Sequence, residues 1–79
     1  MTPAKREPDL TTYSGRFAAR LRELREKAKL SQAEFAEATR SKQTTVSRWE
    51  RGENVPPLDM FPEIANVLKT SVRNLLPKE

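Results

Sequence analysis

The sequence has no cysteine and no histidine among its 79 residues. It therefore lacks disulfides, thiol nucleophiles and thiolate or imidazole metal ligands, as well as the commonest general base. No apolar run approaches the about 18 residues of a membrane helix, and no signal-peptide pattern is present. We predict one small cytoplasmic domain with no metal, no cofactor and no membrane contact. We also predict that it is not an enzyme, because no base stands beside a nucleophile.

The positive charge is concentrated in one part of the chain. The formal net charge is +4, and residues 1–14 and 55–79 each contain equal numbers of acidic and basic side chains. The whole excess therefore lies in residues 15–54. A basic surplus there favours a polyanionic partner, with nucleic acid as the leading candidate. The alternative is a basic surface that only aids solubility.

Residues 30–52, LSQAEFAEATRSKQTTVSRWERG, predict two short helices joined by a tight turn. The Ser31 hydroxyl can accept from the N–H of Glu34, whose carboxylate can reach back, and this pattern is a capping box. Leu30 and Phe35 are spaced as a hydrophobic staple across that cap. The first of these helices is expected to end near residue 39.

The second of these helices is predicted over residues 42–51, with Gly52 as its left-handed terminator. At about 100° per residue, Val46 and Trp49 fall on one face. The other face is polar and basic: Gln43, Thr44, Ser47, Arg48 and Arg51. Such side chains can hydrogen-bond base edges and phosphates. A helix face that is merely exposed to solvent has a similar composition. This pattern alone therefore does not decide between a nucleic-acid contact and an ordinary solvated face.

Apolar residues at spacings of three and four predict three further helices, over residues 14–29, 59–69 and 72–76. Ser14 is the predicted cap of the first of them. With no strand pattern anywhere, the predicted fold is all-α, a compact bundle of five short helices. The predicted core takes apolar side chains from all five: Phe17, Leu21, Leu24, Phe35, Val46, Trp49, Ile64, Leu68 and Leu75.

The N-terminal residues do not share this periodicity. Residues 1–13 contain two prolines and mixed charge, which predicts a flexible arm ahead of a domain over residues 14–77 and a tail at residues 78–79. Lys5 and Arg6 would allow the arm to lie along a DNA groove. A simple unstructured terminus is the alternative.

Four stretches together resemble the lambda-repressor-like, Xre/Cro-type helix-turn-helix domains of bacterial and phage regulators: LRELREKAKLSQAEFAE, TTVSRWERG, PEIANVL and TSVRNLL. The resemblance spans residues 17–77 and implies that helix 42–51 enters the DNA major groove. By position, the base-facing residues would be Gln43, Thr44, Ser47 and Arg48. The phosphate-facing residues would be Gln32, Lys42, Arg51 and Asn54. The resemblance also implies a structural ion pair between Arg25 and Glu50.

The turn between the two helices departs from the family pattern, which has Gly, an apolar residue and a Ser or Thr cap. Here these positions hold Arg40, Ser41 and Lys42. We expect Arg40 to adopt a left-handed conformation at a cost of about 1 kcal/mol, or the turn to differ in shape. We expect Ser41 to cap the following helix one residue early and Lys42 to reach a phosphate. Lys69 likewise replaces a common Gly after the fourth helix.

The leading hypothesis is a sequence-specific regulator of transcription, a repressor that binds double-stranded DNA as a homodimer on a two-fold operator. Half-sites would lie about 34 Å apart. The antitoxin of a toxin–antitoxin pair, with the toxin as protein partner, and a phage-type repressor both fit. The alternative is a protein-interaction adaptor that keeps the fold and has lost DNA binding. Leu75 and Leu76 mark the expected dimer contact.

Overall fold

The computed structural model describes residues 7–78, and these form five α-helices and one 3₁₀ helix. In chain order they are α1 (Tyr13–Lys27), α2 (Gln32–Ala38), α3 (Gln43–Arg51), the 3₁₀ helix (Leu58–Met60), α4 (Phe61–Val67) and α5 (Val72–Leu75). No strand occurs in this part of the chain. The predicted all-α fold class is confirmed. Within residues 7–78, no helix has both the length and the apolarity needed to cross a bilayer.

A single apolar cluster holds the helices together. The rings of Phe17 on α1 and Phe61 on α4 stack with centroids 5.4 Å apart. Leu30 packs against the cluster at the point where the chain enters α2. The cluster contains each of the predicted core residues together with Ala36, Phe61 and Ala65. Burial of this surface, about 25 cal/mol per Å² of apolar area, is the main force that assembles such a small domain.

The start of α1 differs from the prediction. The N-cap is Thr12, whose hydroxyl accepts from the N–H of Gly15 at 3.0 Å, so the helix begins at Tyr13. The predicted cap Ser14 was wrong, since it already lies inside the first turn. By contrast, the capping box of α2 is present, with both bonds between Ser31 and Glu34 formed.

Residues 7–12, which we call the N-terminal strap, lie against the helices although they fall in the predicted flexible arm. The side-chain hydroxyl and backbone N–H of Thr11 donate to Asp9, which lowers the pKa of that carboxyl. The strap crosses α1 at Gly15, where any Cβ would overlap the carbonyl oxygen of Asp9. Pro8 also lies within 3.8 Å of a Cβ built on Gly52, just past α3.

Residues 1–6 of the predicted arm, which include Lys5 and Arg6, lie outside the described residues.

Just past each of the first four α-helices, one residue adopts the left-handed conformation. These residues are Lys29 (φ 62°), Arg40 (φ 58°), Gly52 (φ 80°) and Lys69 (φ 58°), after α1, α2, α3 and α4. In each case the next N–H bonds back five residues, as that of Ser41 does to the carbonyl of Ala36 at 2.8 Å. The predicted terminator Gly52 and the left-handed Arg40 are both observed. The predicted ends of the first and fourth helices were too late, because Lys29 and Lys69 turn the chain.

Ser41 does not cap α3, contrary to our expectation. The N-cap is Lys42, which makes no side-chain cap bond, and the helix begins at Gln43. The Ser41 hydroxyl instead donates to the carbonyl of Thr39 at 3.4 Å and accepts from its hydroxyl at 3.2 Å. Ser41 therefore belongs to the end of α2, because both its N–H and its side chain are bonded there.

The last two helices are shorter than predicted. The predicted segment 59–69 opens as the 3₁₀ helix and becomes α-helical only from Phe61. Pro62 stands at the start of α4, where the backbone N–H that it lacks would have no intrahelical acceptor. Ser71 caps α5 by accepting from the N–H of Asn74, and the helix ends at Leu75.

Candidate nucleic-acid interface

Helix α3 has one face in the core and one face in solvent. Val46, Trp49 and Glu50 are buried, and the indole of Trp49 belongs to the apolar cluster. The side chains predicted to face bases lie on the solvent side, three of them exposed and one half-buried: Gln43, Thr44, Arg48 and, half-buried, Ser47. Within residues 7–78 these four make no hydrogen bond and no ion pair. The fold therefore leaves the polar groups of this face available to a ligand.

The chemistry of this face suits base edges. Arg48 carries a planar fork of donors that matches two acceptors of guanine, and Gln43 can pair with adenine through one donor and one acceptor. The hydroxyls of Thr44 and Ser47 can donate or accept. The four side chains are neighbours on the helix surface, at spacings of three and four residues. A helix of this width fits the major groove of B-DNA.

Around α3, the predicted phosphate-facing residues divide into two sorts. Lys42 and Asn54 are exposed and make no side-chain hydrogen bond within residues 7–78. Arg51 is already engaged, since its Nη2 donates to Glu53 Oε1 at 3.4 Å and its Nε lies 3.1 Å from Glu53 Oε2. Glu53 was not considered in the sequence analysis, although it lies two residues further on.

Gln32 is linked to the buried carboxylate of Glu50. Its Nε2 donates to Glu50 Oε1 at 3.0 Å, so this predicted phosphate contact has one partner inside the protein. A side-chain amide has two N–H donors, and the second remains for another acceptor. The bond also sets the direction of the Gln32 side chain at the start of α2.

The structure brings Arg25 and Glu50 together in a buried pair. Arg25 Nε donates to Glu50 Oε2 at 2.6 Å, and Nη2 donates to Oε1 at 3.1 Å. Arg25 Nη1 also donates to the carbonyl of Leu30 at 2.7 Å, between α1 and α2. This bidentate geometry joins α1 to the last turn of α3 and fixes both beside α2.

Arg22 completes this group and was missed in the sequence analysis. Its Nε lies 3.8 Å from Glu50 Oε1, and its Nη1 lies 3.3 Å from a carboxylate oxygen of Glu7 in the strap. The signal was present, because a spacing of three places Arg22 on the same face of α1 as Arg25. The position of Glu7 depends on the path of the strap, which the sequence pattern did not reveal.

Comparison with known proteins assigns the chain to a family. The helix-turn-helix family matches residues 21–75, which include all of α2 and α3. The chain belongs to the Xre/lambda-repressor-like helix-turn-helix family. No curated protein matches the chain.

The solved structures that are similar to this helix-turn-helix protein include a controller protein and an enzyme. A restriction-modification controller protein from Aeromonas hydrophila is 33% identical, with a TM-score of 0.73, covering 77% of this chain and 92% of that chain. Hydroxypropylphosphonic acid epoxidase from S. wedmorenis is 37% identical, with a TM-score of 0.77, covering 84% of this chain and 35% of that chain. The chain thus spans about a third of the epoxidase, and the similarity concerns that part alone.

Proposed function

We propose that this helix-turn-helix protein is a sequence-specific transcriptional regulator that inserts α3 into the major groove of double-stranded DNA. The observation that carries the proposal is the contrast between the two faces of α3. Val46 and Trp49 are locked in the core, whereas the four polar side chains opposite have no partner within residues 7–78. Action as a repressor, by covering a promoter, is the form we propose.

Contacts to phosphates would set the register of α3 in the groove. The free N–H of Gln32, together with Lys42 and Asn54, supplies donors at both ends of the helix pair. Arg51 would exchange Glu53 for a phosphate oxygen. Because such contacts neutralise phosphates and release counterions, affinity is expected to fall steeply with salt.

A two-fold operator requires a dimer, and α5 offers the apolar surface that we propose for it. Val72 and Leu76 are 37% and 39% exposed, whereas Leu75 is fully buried. Leu75 therefore serves the core, and only Leu76 of the predicted pair is free to reach a second copy. Half-sites one turn of DNA apart would require the two copies of α3 in such a dimer to lie about 34 Å apart.

The alternative proposal is an adaptor or antitoxin-like domain that binds a protein such as a toxin. The sequence feature that most favours it is the departure from the family pattern at residues 40–42, because an altered turn would displace α3. In the structure Arg40 takes the left-handed conformation that Gly usually supplies. The turn forms the backbone hydrogen bonds of a left-handed helix end, from the N–H of Ser41 to the carbonyl of Ala36, and this observation favours the DNA-binding proposal.

Substitution of Arg48 tests the proposal. We expect Arg48→Ala to weaken binding to a duplex from the region upstream of the protein's own gene by about 1–3 kcal/mol. Binding to a scrambled duplex should change far less. Lys27→Ala is the matched control, because Lys27 is an exposed cation at the end of α1 without an ion pair within residues 7–78. Equal effects of both variants on both duplexes would favour the adaptor.

A further inference from the structure

We infer that Arg22 is a contact to the DNA backbone and that Glu7 occupies its guanidinium when DNA is absent. The inference rests on the proposed function and adds a residue on α1 to the phosphate contacts. It is carried by side-chain distances around Glu50 and by the path of the strap.

Arg22 points towards the helix-turn-helix, whereas its neighbour Arg20 points away from it. Two residues along a helix rotate a side chain by about 200°. Arg20 Nε accordingly donates to the carbonyl of Asn74 at the end of α5, at 2.8 Å. Arg22 Nε instead lies 3.8 Å from Glu50 in the last turn of α3. The two arginines thus have different surroundings although they share a helix and a charge.

The group around Glu50 has more positive than negative charge inside the protein. One buried carboxylate, 1% exposed, faces the guanidinium groups of both Arg25 and Arg22. Arg25 already provides the short bidentate pair, so the charge of Arg22 is only partly balanced. Its side chain is 28% exposed, and its Nη1 faces outward to Glu7 at 3.3 Å. An exposed anion therefore completes the group.

Arg22 and Gln32 approach the same atom. Gln32 Nε2 is 3.0 Å and Arg22 Nε is 3.8 Å from Glu50 Oε1. Gln32 is a proposed phosphate contact, so Arg22 stands beside a place where the DNA backbone would pass. A guanidinium binds the paired oxygens of a phosphate as it binds those of a carboxylate. Glu7 is thus the intramolecular substitute for a phosphate.

The contact between Glu7 and Arg22 is suited to exchange. The Glu7 side chain is 63% exposed, and exposed ion pairs are weak and screened by salt. The strap remains attached through Asp9, Thr12 and Gly15 when Glu7 moves. A phosphate that binds the outward-facing Nη1 must displace the Glu7 carboxylate, because two anions at the same donor repel each other. Glu7 therefore lowers DNA affinity.

Charge removal at two matched glutamates tests this inference. Glu23 forms an exposed pair with Arg20 at 3.2 Å, with side-chain exposures of 28% and 64% against 28% and 63% for Arg22 and Glu7. Glu7→Gln and Glu23→Gln change the net charge equally. With a short random-sequence duplex as probe, we expect Glu7→Gln to tighten binding about twofold to fivefold more than Glu23→Gln.

Variants of Arg22 give the complementary result. Arg22→Gln should weaken binding to the same duplex about tenfold and reduce the salt slope by about one. Arg22→Lys should restore the slope, because it keeps the charge. In the Arg22→Gln background, Glu7→Gln should no longer tighten binding. A purely structural role of Arg22 would lower the melting temperature and leave the salt slope of the folded protein unchanged.

The outcomes separate this inference from the proposed function. If the wild-type chain binds DNA but Glu7→Gln and Glu23→Gln behave alike, the role of Glu7 is overturned. If Arg22→Gln leaves the salt slope unchanged, the role of Arg22 is overturned. If the folded wild-type chain binds no duplex at all, the proposed function is overturned as well.

Discussion

Glu50 on α3 and Arg25 on α1 form a bidentate ion pair of 2.6 and 3.1 Å inside the domain, 1% and 8% exposed. Removing two charges from water is costly, and such a pair adds little net stability compared with an apolar pair of the same shape. Here the carboxylate of Glu50 also accepts a hydrogen bond from Gln32 and lies beside the guanidinium of Arg22. Its effect is therefore positional, because one buried group fixes α1, α2 and α3 relative to one another.

Loss of one partner should be far more damaging than loss of the whole pair. We predict that Glu50→Ala lowers the free energy of unfolding by about 3–5 kcal/mol, because Arg25 is left buried without its close carboxylate partner. Urea denaturation measures this. Glu26 is the control, since it is exposed and lies 4.0 Å from Arg25, so Glu26→Ala should cost less than about 1 kcal/mol. Similar losses for both variants would contradict the positional role of Glu50.

Gly15 should resist a substitution that normally stabilises helices. Ala is better than Gly by about 1 kcal/mol inside a helix, but a Cβ at Gly15 would overlap the carbonyl of Asp9. We predict that Gly15→Ala displaces the strap, lowers stability and speeds amide exchange at Thr11 and Thr12. Ser14→Ala, in the same turn, should leave exchange unchanged. A Gly15→Ala protein of higher stability with a protected strap would show that the crossing is not tight.

The left-handed Arg40 should carry a measurable conformational cost. Ala at this position removes the charge but keeps the steric cost of the left-handed conformation. Gly removes the charge and also that cost, because it has no Cβ. We predict that Arg40→Gly is more stable than Arg40→Ala by about 1 kcal/mol in thermal unfolding. At Glu23, an exposed residue inside α1, the order of the Gly and Ala variants should reverse. The same order at both positions would mean that Arg40 is not strained.

The features that the sequence predicts well are local. The capping box of Ser31 and Glu34, the terminator Gly52 and the two faces of α3 depend on residues within a few positions of one another, so periodicity and capping rules suffice. The α-helical class follows for the same reason. Arg40 could be anticipated because the family pattern places Gly there.

What the sequence analysis missed depends on contacts between distant segments. Thr12 rather than Ser14 caps α1 because the strap folds back over Gly15, and either hydroxyl satisfies the capping rule. Lys29 carries no mark of a left-handed conformation. Lys69 stands where the family pattern commonly has Gly, but it was still counted in the fourth helix, so both predicted helices ran too long. The pairing of Arg22 with Glu7 spans 15 residues and depends on the path of the strap.

Binding of the full chain to a duplex from the region upstream of its own gene, beside a scrambled duplex and over a series of salt concentrations, tests sequence-specific recognition most directly. We predict that the chain prefers the native sequence by roughly a thousandfold or more. We also predict that the logarithm of the association constant falls linearly with the logarithm of the salt concentration. Equal weak binding to both duplexes, or none, would contradict sequence-specific recognition and favour a protein partner.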